Sequence, residues 1–143
     1  MEFENTVINL IESVNVILRR KKETMMNRND YRNITLAQLK YLSAINALGN
    51  PTFGELKDRL GVTKASVSGI VELLINNGMA EKIQSEDDSR IWTIHLTQKG
   101  LKFIKAEEAA IQEFTDTIRS ALTGEEIREF QRISEKILKT IKR

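Results

Sequence analysis

Few side chains in this sequence are equipped for bond-making chemistry. His95 is the only histidine, cysteine is absent, and no group of carboxylates stands at ligand spacing beside His95. A lone imidazole provides neither a metal centre nor the paired groups that acid–base or nucleophilic catalysis requires. The phosphate-cradling patterns Gly-x-x-x-x-Gly-Lys and Gly-x-Gly-x-x-Gly do not occur. No catalytic residue, metal ligand or cofactor is therefore assigned, and an enzyme is not expected. Without cysteine there are no disulfides and no thiol switch. His95 reads as a solvated residue on the outward side of a strand.

The chemistry that remains is recognition. In the run Thr63-Lys64-Ala65-Ser66-Val67-Ser68-Gly69-Ile70-Val71-Glu72-Leu73-Leu74, the apolar residues Val67, Ile70, Val71 and Leu74 share one helical face. The opposite, N-terminal positions are Lys64, Ala65, Ser68 and Gly69, with Thr63 as the cap. Small and hydroxylated residues there suit a helix end pushed into a DNA major groove, where hydroxyls and free N–H groups reach phosphates and base edges. Lys64 adds a positive head. Taken alone, the same pattern equally describes a surface helix without a partner.

A second cluster lies at Asp88-Ser89-Arg90, inside the polar run Ser85 to Arg90. Narrow A·T-rich minor grooves attract an inserted guanidinium, and a carboxylate two residues away can orient Arg90 by a charge-assisted hydrogen bond. The plainer reading is a surface ion pair, which contributes little. Trp92 and Met79 are expected to pack this segment onto the body of the protein; stacking of Trp92 on nucleic acid is the less favoured alternative, because it shares a face with Ile94 and Leu96.

These groups need a scaffold, and the patterning supplies one. Phe3, Val7, Leu10, Val14 and Ile17, widened by Ile11 and Leu18, mark an amphipathic first helix with a seam suited to helix pairing. Met25 to Asn33 loses this period and reads as a loop. There, Met25 and Met26 beside Tyr31 either line a ligand cavity or, as is commoner, fill core. Thr35 with Gln38 opens a helix whose stripe is Leu36, Leu39, Leu42, Ile45 and Leu48, ended by Gly49-Asn50-Pro51. Thr52 with Glu55 opens a short helix to Leu60, and Gly61-Val62 joins it to the helix capped by Thr63. Two short helices around a glycine turn form a helix-turn-helix. Met79 to Gln84 and Ile91 to Leu96 then read as a hairpin. Thr97 caps a long helix to about Ser120, and Thr123 with Glu126 opens a last helix bearing Ile127, Phe130, Ile133, Ile137 and Ile141. The fold class is mainly α with a small β-hairpin wing.

The totals agree with a globular chain. Its 143 residues are 41% hydrophobic with a formal charge of +2, enough to bury about 70% of the unfolded surface. No apolar run is long enough to span a bilayer and no signal peptide is visible, so a cytoplasmic protein without membrane association is expected. Charge is unevenly placed. Residues 17–41 carry seven bases and two acids, whereas residues 42–96 carry five bases and seven acids. Charge alone would direct nucleic acid to the wrong segment.

The run Leu36-x-Gln38, Gly61-Val62-Thr63-Lys64-x-Ser66-Val67-Ser68, Gly78-Met79, Asp88-Ser89-Arg90 and Leu96-Thr97-x-Lys99-Gly100 resembles the MarR family of bacterial transcription regulators. The resemblance is dense over residues 35–100, and the flanking helices match in length and place only. It implies a homodimeric winged helix-turn-helix repressor. Residues 35–97 would be the DNA-binding region, with dimerisation elements at 1–34 and 98–143. Thr63, Lys64, Ser66 and Ser68 would lie on the recognition helix and Arg90 would enter the minor groove of a pseudo-palindromic duplex. A small aromatic or lipophilic effector would release the DNA. Gly69 and Ser89 depart from relatives that carry arginine there, which removes two phosphate contacts. Two other classes fit the same scaffold: a protein-interaction module that has lost DNA binding, and a dimer whose main task is ligand sensing.

Overall fold

The computed structural model describes residues 2–31 and 33–142. Its elements, in chain order, are α1 (Glu2–Met25), α2 (Arg28–Tyr31), α3 (Leu36–Leu48), α4 (Phe53–Leu60), α5 (Lys64–Asn76), β1 (Ala80–Gln84), β2 (Trp92–Leu96), α6 (Gln98–Ala121) and α7 (Gly124–Ile141). The expected class is observed: helices with one two-stranded antiparallel sheet. The segment read as a loop after the first helix differs. Within Met25 to Asn33 the chain forms a short helical turn, α2, while the basic run Arg19 to Lys22 lies in the last turns of α1, as expected. The chain divides into two units, one made of Arg19–Glu107 and one of Met1–Leu18 with Glu108–Arg143.

Helix starts in the central unit are set by threonine. Thr35 and Gln38 form a reciprocal capping box, with Gln38 N donating to Thr35 Oγ1 at 3.1 Å and Thr35 N to Gln38 Oε1 at 3.2 Å. The Thr52–Glu55 pair forms only half of the expected box, Glu55 N donating to Thr52 Oγ1. Between α4 and α5, Gly61 adopts φ 63°, a left-handed conformation that makes the tight turn.

The core of this unit joins Leu42, Ile45, Leu56, Val67, Val71, Leu74, Met79, Ile94 and Phe103. Full burial of each large side chain contributes about 1.5–3 kcal/mol. The α3 stripe is shifted from the one read in the sequence: Leu36 is exposed at the helix start, while Gln38, Tyr41, Leu42 and Ile45 are buried. Gln38 tolerates burial because its amide is hydrogen-bonded at the cap. Burial also holds the Tyr41 phenol above its usual pKa.

β1 and β2 pair antiparallel from Ala80↔Leu96 to Gln84↔Trp92. Two contacts lock this hairpin to the helix-turn-helix: Ile94 N donates to Pro51 O at 2.8 Å, and Thr52 bridges Thr93. Its base is fastened to α6. Thr97 N donates to Met79 O at 3.0 Å, and Thr97 Oγ1 donates to Gly78 O at 2.5 Å while accepting from Gly100 N at 3.2 Å. Gly100 is required at this junction, since a Cβ there would lie 2.1 Å from Met79 O.

The terminal unit has a different surface. No described residue of α1 or α7 is buried. Phe3, Val7, Leu10 and Ile11 on α1 are exposed, as are Phe130, Ile133, Ile137 and Ile141 on α7. The Thr123–Glu126 capping box is complete. Among the described residues, no helix is long and apolar enough to cross a membrane.

Candidate nucleic-acid interface

α5 carries the first candidate cluster. Val67, Val71 and Leu74 are buried and Ile70 is half-buried, which fixes the helix by one face. Lys64, Ala65, Ser66, Ser68 and Gly69 are all exposed, as the apolar spacing predicts. Their hydroxyl partners differ. Thr63 Oγ1 accepts from Ser66 N at 3.1 Å and donates to Ser66 Oγ at 3.0 Å, so it serves the helix cap. Ser66 retains its own hydroxyl proton for another acceptor, since Thr63 donates to it. Nothing lies within 4 Å of a Cβ built on Gly69, so this position opens the backbone to a close partner.

The wing tip is built by short-range bonds. Ser85 N donates to Ile91 O at 2.8 Å, Ile91 N donates to Asp88 O at 3.0 Å, and Gln84 Nε2 donates to Ser89 O at 2.7 Å. Asp88 receives both Arg90 Nε at 3.1 Å and Arg90 Nη2 at 3.0 Å, a bidentate grip, and also Arg90 N at 3.0 Å. These bonds hold the Asp88 carboxyl below its ordinary pKa and the Arg90 guanidinium above its own. The pair is thus fully charged at neutral pH. The Arg90 side chain nevertheless remains 88% exposed, oriented but available.

The two clusters share a recess of about 630 Å³ between α4, α5 and the wing, lined by Thr52, Phe53, Gly54, Lys57, Lys64, Ser68, Arg90, Ile91 and Trp92. The charge balance of this lining departs from that of the segment. Three of the five bases in residues 42–96, Lys57, Lys64 and Arg90, border the recess, and none of the seven acids does. A segment of negative net charge therefore turns three cationic heads toward one recess, although Arg90 is paired with Asp88 and Lys57 lies 3.9 Å from Asp58. Lys57 was not singled out in the sequence, because it lies six residues before Thr63 on a different helix, and for Trp92 packing was preferred over a nucleic-acid contact. Trp92 was expected to pack against the body, yet it is 37% exposed. Packing ends one step along the strand, at the fully buried Ile94. His95 was read as solvated, but it is half-buried, with Nε2 2.8 Å from Thr93 Oγ1. Among the described residues no group of three or more potential ligands is placed to hold a metal ion.

The methionine pair also divides. Met26 packs against the core with Tyr31, whereas Met25 is exposed. Both border an open recess of about 510 Å³ with Glu23, Asp30, Lys99 and Lys102. Lys99 Nζ donates to Asn77 O at 2.7 Å, at the end of α5, and lies 3.5 Å from Asp30 Oδ1. Deeper in, Lys22 pairs with Glu107 and lies 4.8 Å from the centre of the Phe103 ring.

A helix-turn-helix joined to an anchored hairpin, with an exposed small-residue helix end and an arginine at the hairpin tip, defines a winged helix-turn-helix. Residues 32–91 match the model of the MarR family. The regulator TcaR of Staphylococcus aureus is 29% identical over 135 residues, covering 92% of this chain and 86% of TcaR. Among solved structures, Streptococcus pneumoniae FabT in complex with DNA aligns with a TM-score of 0.70 at 20% identity, covering 99% of this chain and 94% of that one. The transcriptional regulator Tm0710 from Thermotoga maritima aligns with a TM-score of 0.61 at 25% identity, covering 99% and 94%. The chain is thus similar to regulators of the MarR family, whose model matches residues 32–91. TcaR and Tm0710 are both transcriptional regulators.

Proposed function

We propose that this protein binds double-stranded DNA as a cytoplasmic homodimer, reads a pseudo-palindromic operator and represses transcription by occupying it. The observation that carries this reading is the sorting of charge: Lys57, Lys64 and Arg90 border one recess from which every carboxylate of residues 42–96 is missing. Phosphate neutralisation needs such local clustering, whatever the sum over the segment. Lys64, Ala65, Ser66, Ser68 and Gly69 take the major groove, with Thr63 holding their helix end. Arg90, steadied by Asp88, takes the minor groove. That FabT, similar in fold, was solved in complex with DNA supports DNA as the partner.

Residues 35–97 are then the DNA-binding region, and residues 1–34 and 98–143 supply the dimer contacts. The exposed apolar residues of α1 and α7 support that role, because a monomer rarely leaves so many large apolar side chains in water. A small effector would occupy the recess beside Met25, Met26, Lys99 and Lys102. That effector would be a small aromatic or lipophilic compound, with the methionines as its apolar contacts.

Selection of binding sites from a random pool of duplexes tests the reading. The expected product is a pseudo-palindrome with half-sites about one helical turn, roughly 34–36 Å, apart. Its affinity should fall with salt by about 0.9 log units per log unit for each phosphate contacted. Absence of enrichment, with no binding to any duplex at low salt, would refute the proposal in favour of a protein-interaction scaffold.

A further inference from the structure

Trp92 is the only tryptophan in the chain, and its setting is unusual for an aromatic residue that shares a strand face with core side chains. Ile94, two residues on, is fully buried, whereas the Trp92 indole lies at the edge of the cationic recess and stays partly in water. Lys82, diagonal to it across the hairpin, places Nζ 5.4 Å from the ring centroid. Phe53 and Ile91 continue the apolar floor between Lys57, Lys64 and Arg90. A recess with an apolar floor and cationic walls matches a ligand that alternates apolar rings with anions.

The position of the recess identifies that ligand. On the proposed reading, Lys64 and Ser68 reach the major groove and Arg90 reaches the adjacent minor groove. What separates two adjacent grooves of a duplex is a sugar–phosphate strand. Since Lys64, Ser68 and Arg90 border one recess, that strand must cross it. Stacked bases in a duplex offer no free face to an indole, so the ring meets a deoxyribose. We propose that Trp92 is a DNA-contact residue packing against a deoxyribose of the crossing strand, with Lys57 on a neighbouring phosphate. This inference rests on the DNA-binding reading above and extends it by two residues, Trp92 and Lys57.

Because the chain has one tryptophan, the unmodified protein reports on its own contact. Titration with a duplex recovered from the random pool should shield Trp92 from acrylamide quenching, with the same midpoint as the anisotropy of the labelled duplex. Trp92→Leu keeps an apolar side chain but removes the ring. It should bind about tenfold more weakly, the loss expected when roughly 55 Å² of apolar contact is removed, with an unchanged salt slope. Lys57→Gln should instead flatten the slope by about 0.9, the value for one phosphate contact. Binding by anisotropy with quenching unaltered would overturn the Trp92 contact and leave the DNA reading standing. A salt slope unchanged in Lys57→Gln would overturn the lysine assignment. If no duplex binds at low salt, the DNA reading fails first and this contact with it. The quenching experiment needs no variant, so a destabilised Trp92→Leu protein would not protect the proposal.

Discussion

Two glycines inside helices should respond to the same substitution with opposite signs. A Cβ at Gly100 would lie 2.1 Å from Met79 O and 3.1 Å from Met79 C, whereas a Cβ at Gly69 would have nothing within 4 Å. The obstacle at Gly100 is backbone and cannot swing aside. The two chains must part by nearly 1 Å to reach 3.0 Å, a separation below which real Cβ atoms are essentially never found. Overpacking of this kind costs about 1–3 kcal/mol. Stretching the bond from Thr97 N to Met79 O adds about 0.5–1.5 kcal/mol. Removing glycine from a helix interior returns about 1 kcal/mol. Gly100→Ala should therefore destabilise by about 0.5–3.5 kcal/mol and lower Tm by about 1–14 °C, given roughly 2–4 °C per kcal/mol at this chain length. Gly69→Ala meets no obstacle and should raise stability by up to about 1 kcal/mol. Thermal unfolding followed by circular dichroism decides, with protein concentration held constant because a dimer's Tm depends on it. Equal or greater stability of Gly100→Ala would refute the close approach of α6 to the base of the wing. Gly69→Ala should still weaken DNA binding, if the helix backbone approaches the base edges there.

Other expectations concern the interface, the dimer and the end of the recognition helix. Arg90→Ala should weaken operator binding by about 1–3 kcal/mol, mostly at A·T-rich flanks, with Tm unchanged. Asp88 titrates below its ordinary pKa, so its grip on Arg90 is present above the usual carboxylate range and lost only as pH falls through the depressed value. Affinity measured from neutral pH down to about pH 5 should show no step from this pair, since that window lies above even an unperturbed aspartate. Ser68→Glu should abolish specific binding in an anisotropy assay by setting a carboxylate against the duplex, and the exposure of Ser68 means the fold should survive. Ile137→Glu places a charge on the exposed apolar face of α7 and should shift the protein toward monomer in sedimentation experiments. Lys99→Met removes the ammonium from Asn77 O and should cost about 1 kcal/mol, seen as faster amide exchange near Asn77 and Gly78.

Much of the architecture was legible because it depends on local rules. Threonine caps at positions 35, 52, 63 and 123 begin their helices where the sequence places them. The turn at Gly61 has the left-handed conformation that glycine adopts without strain. The bidentate Asp88–Arg90 pair follows from a spacing of two residues within a tight tip. The exposed end of α5 follows from the apolar spacing of Val67, Val71 and Leu74. Each of these features involves residues within a few positions of one another, where chain geometry leaves little choice.

Tertiary structure decided what depends on residues far apart in the chain. Contiguous charge sums made residues 42–96 appear acidic, yet folding gathers Lys57, Lys64 and Arg90 around one recess and leaves the acids outside it. The sum was correct, but electrostatic attraction depends on distance in space and not on distance in sequence. Trp92 follows the strand alternation of Ile94 and Leu96, but the period of a strand does not show where the underlying core ends. Burial of Gln38, exposure of Leu36 and the approach of Gly100 to Met79 were likewise settled by which surfaces meet. Caps, turns and faces were therefore set along the chain, whereas the cationic recess exists only because the fold brings three elements together.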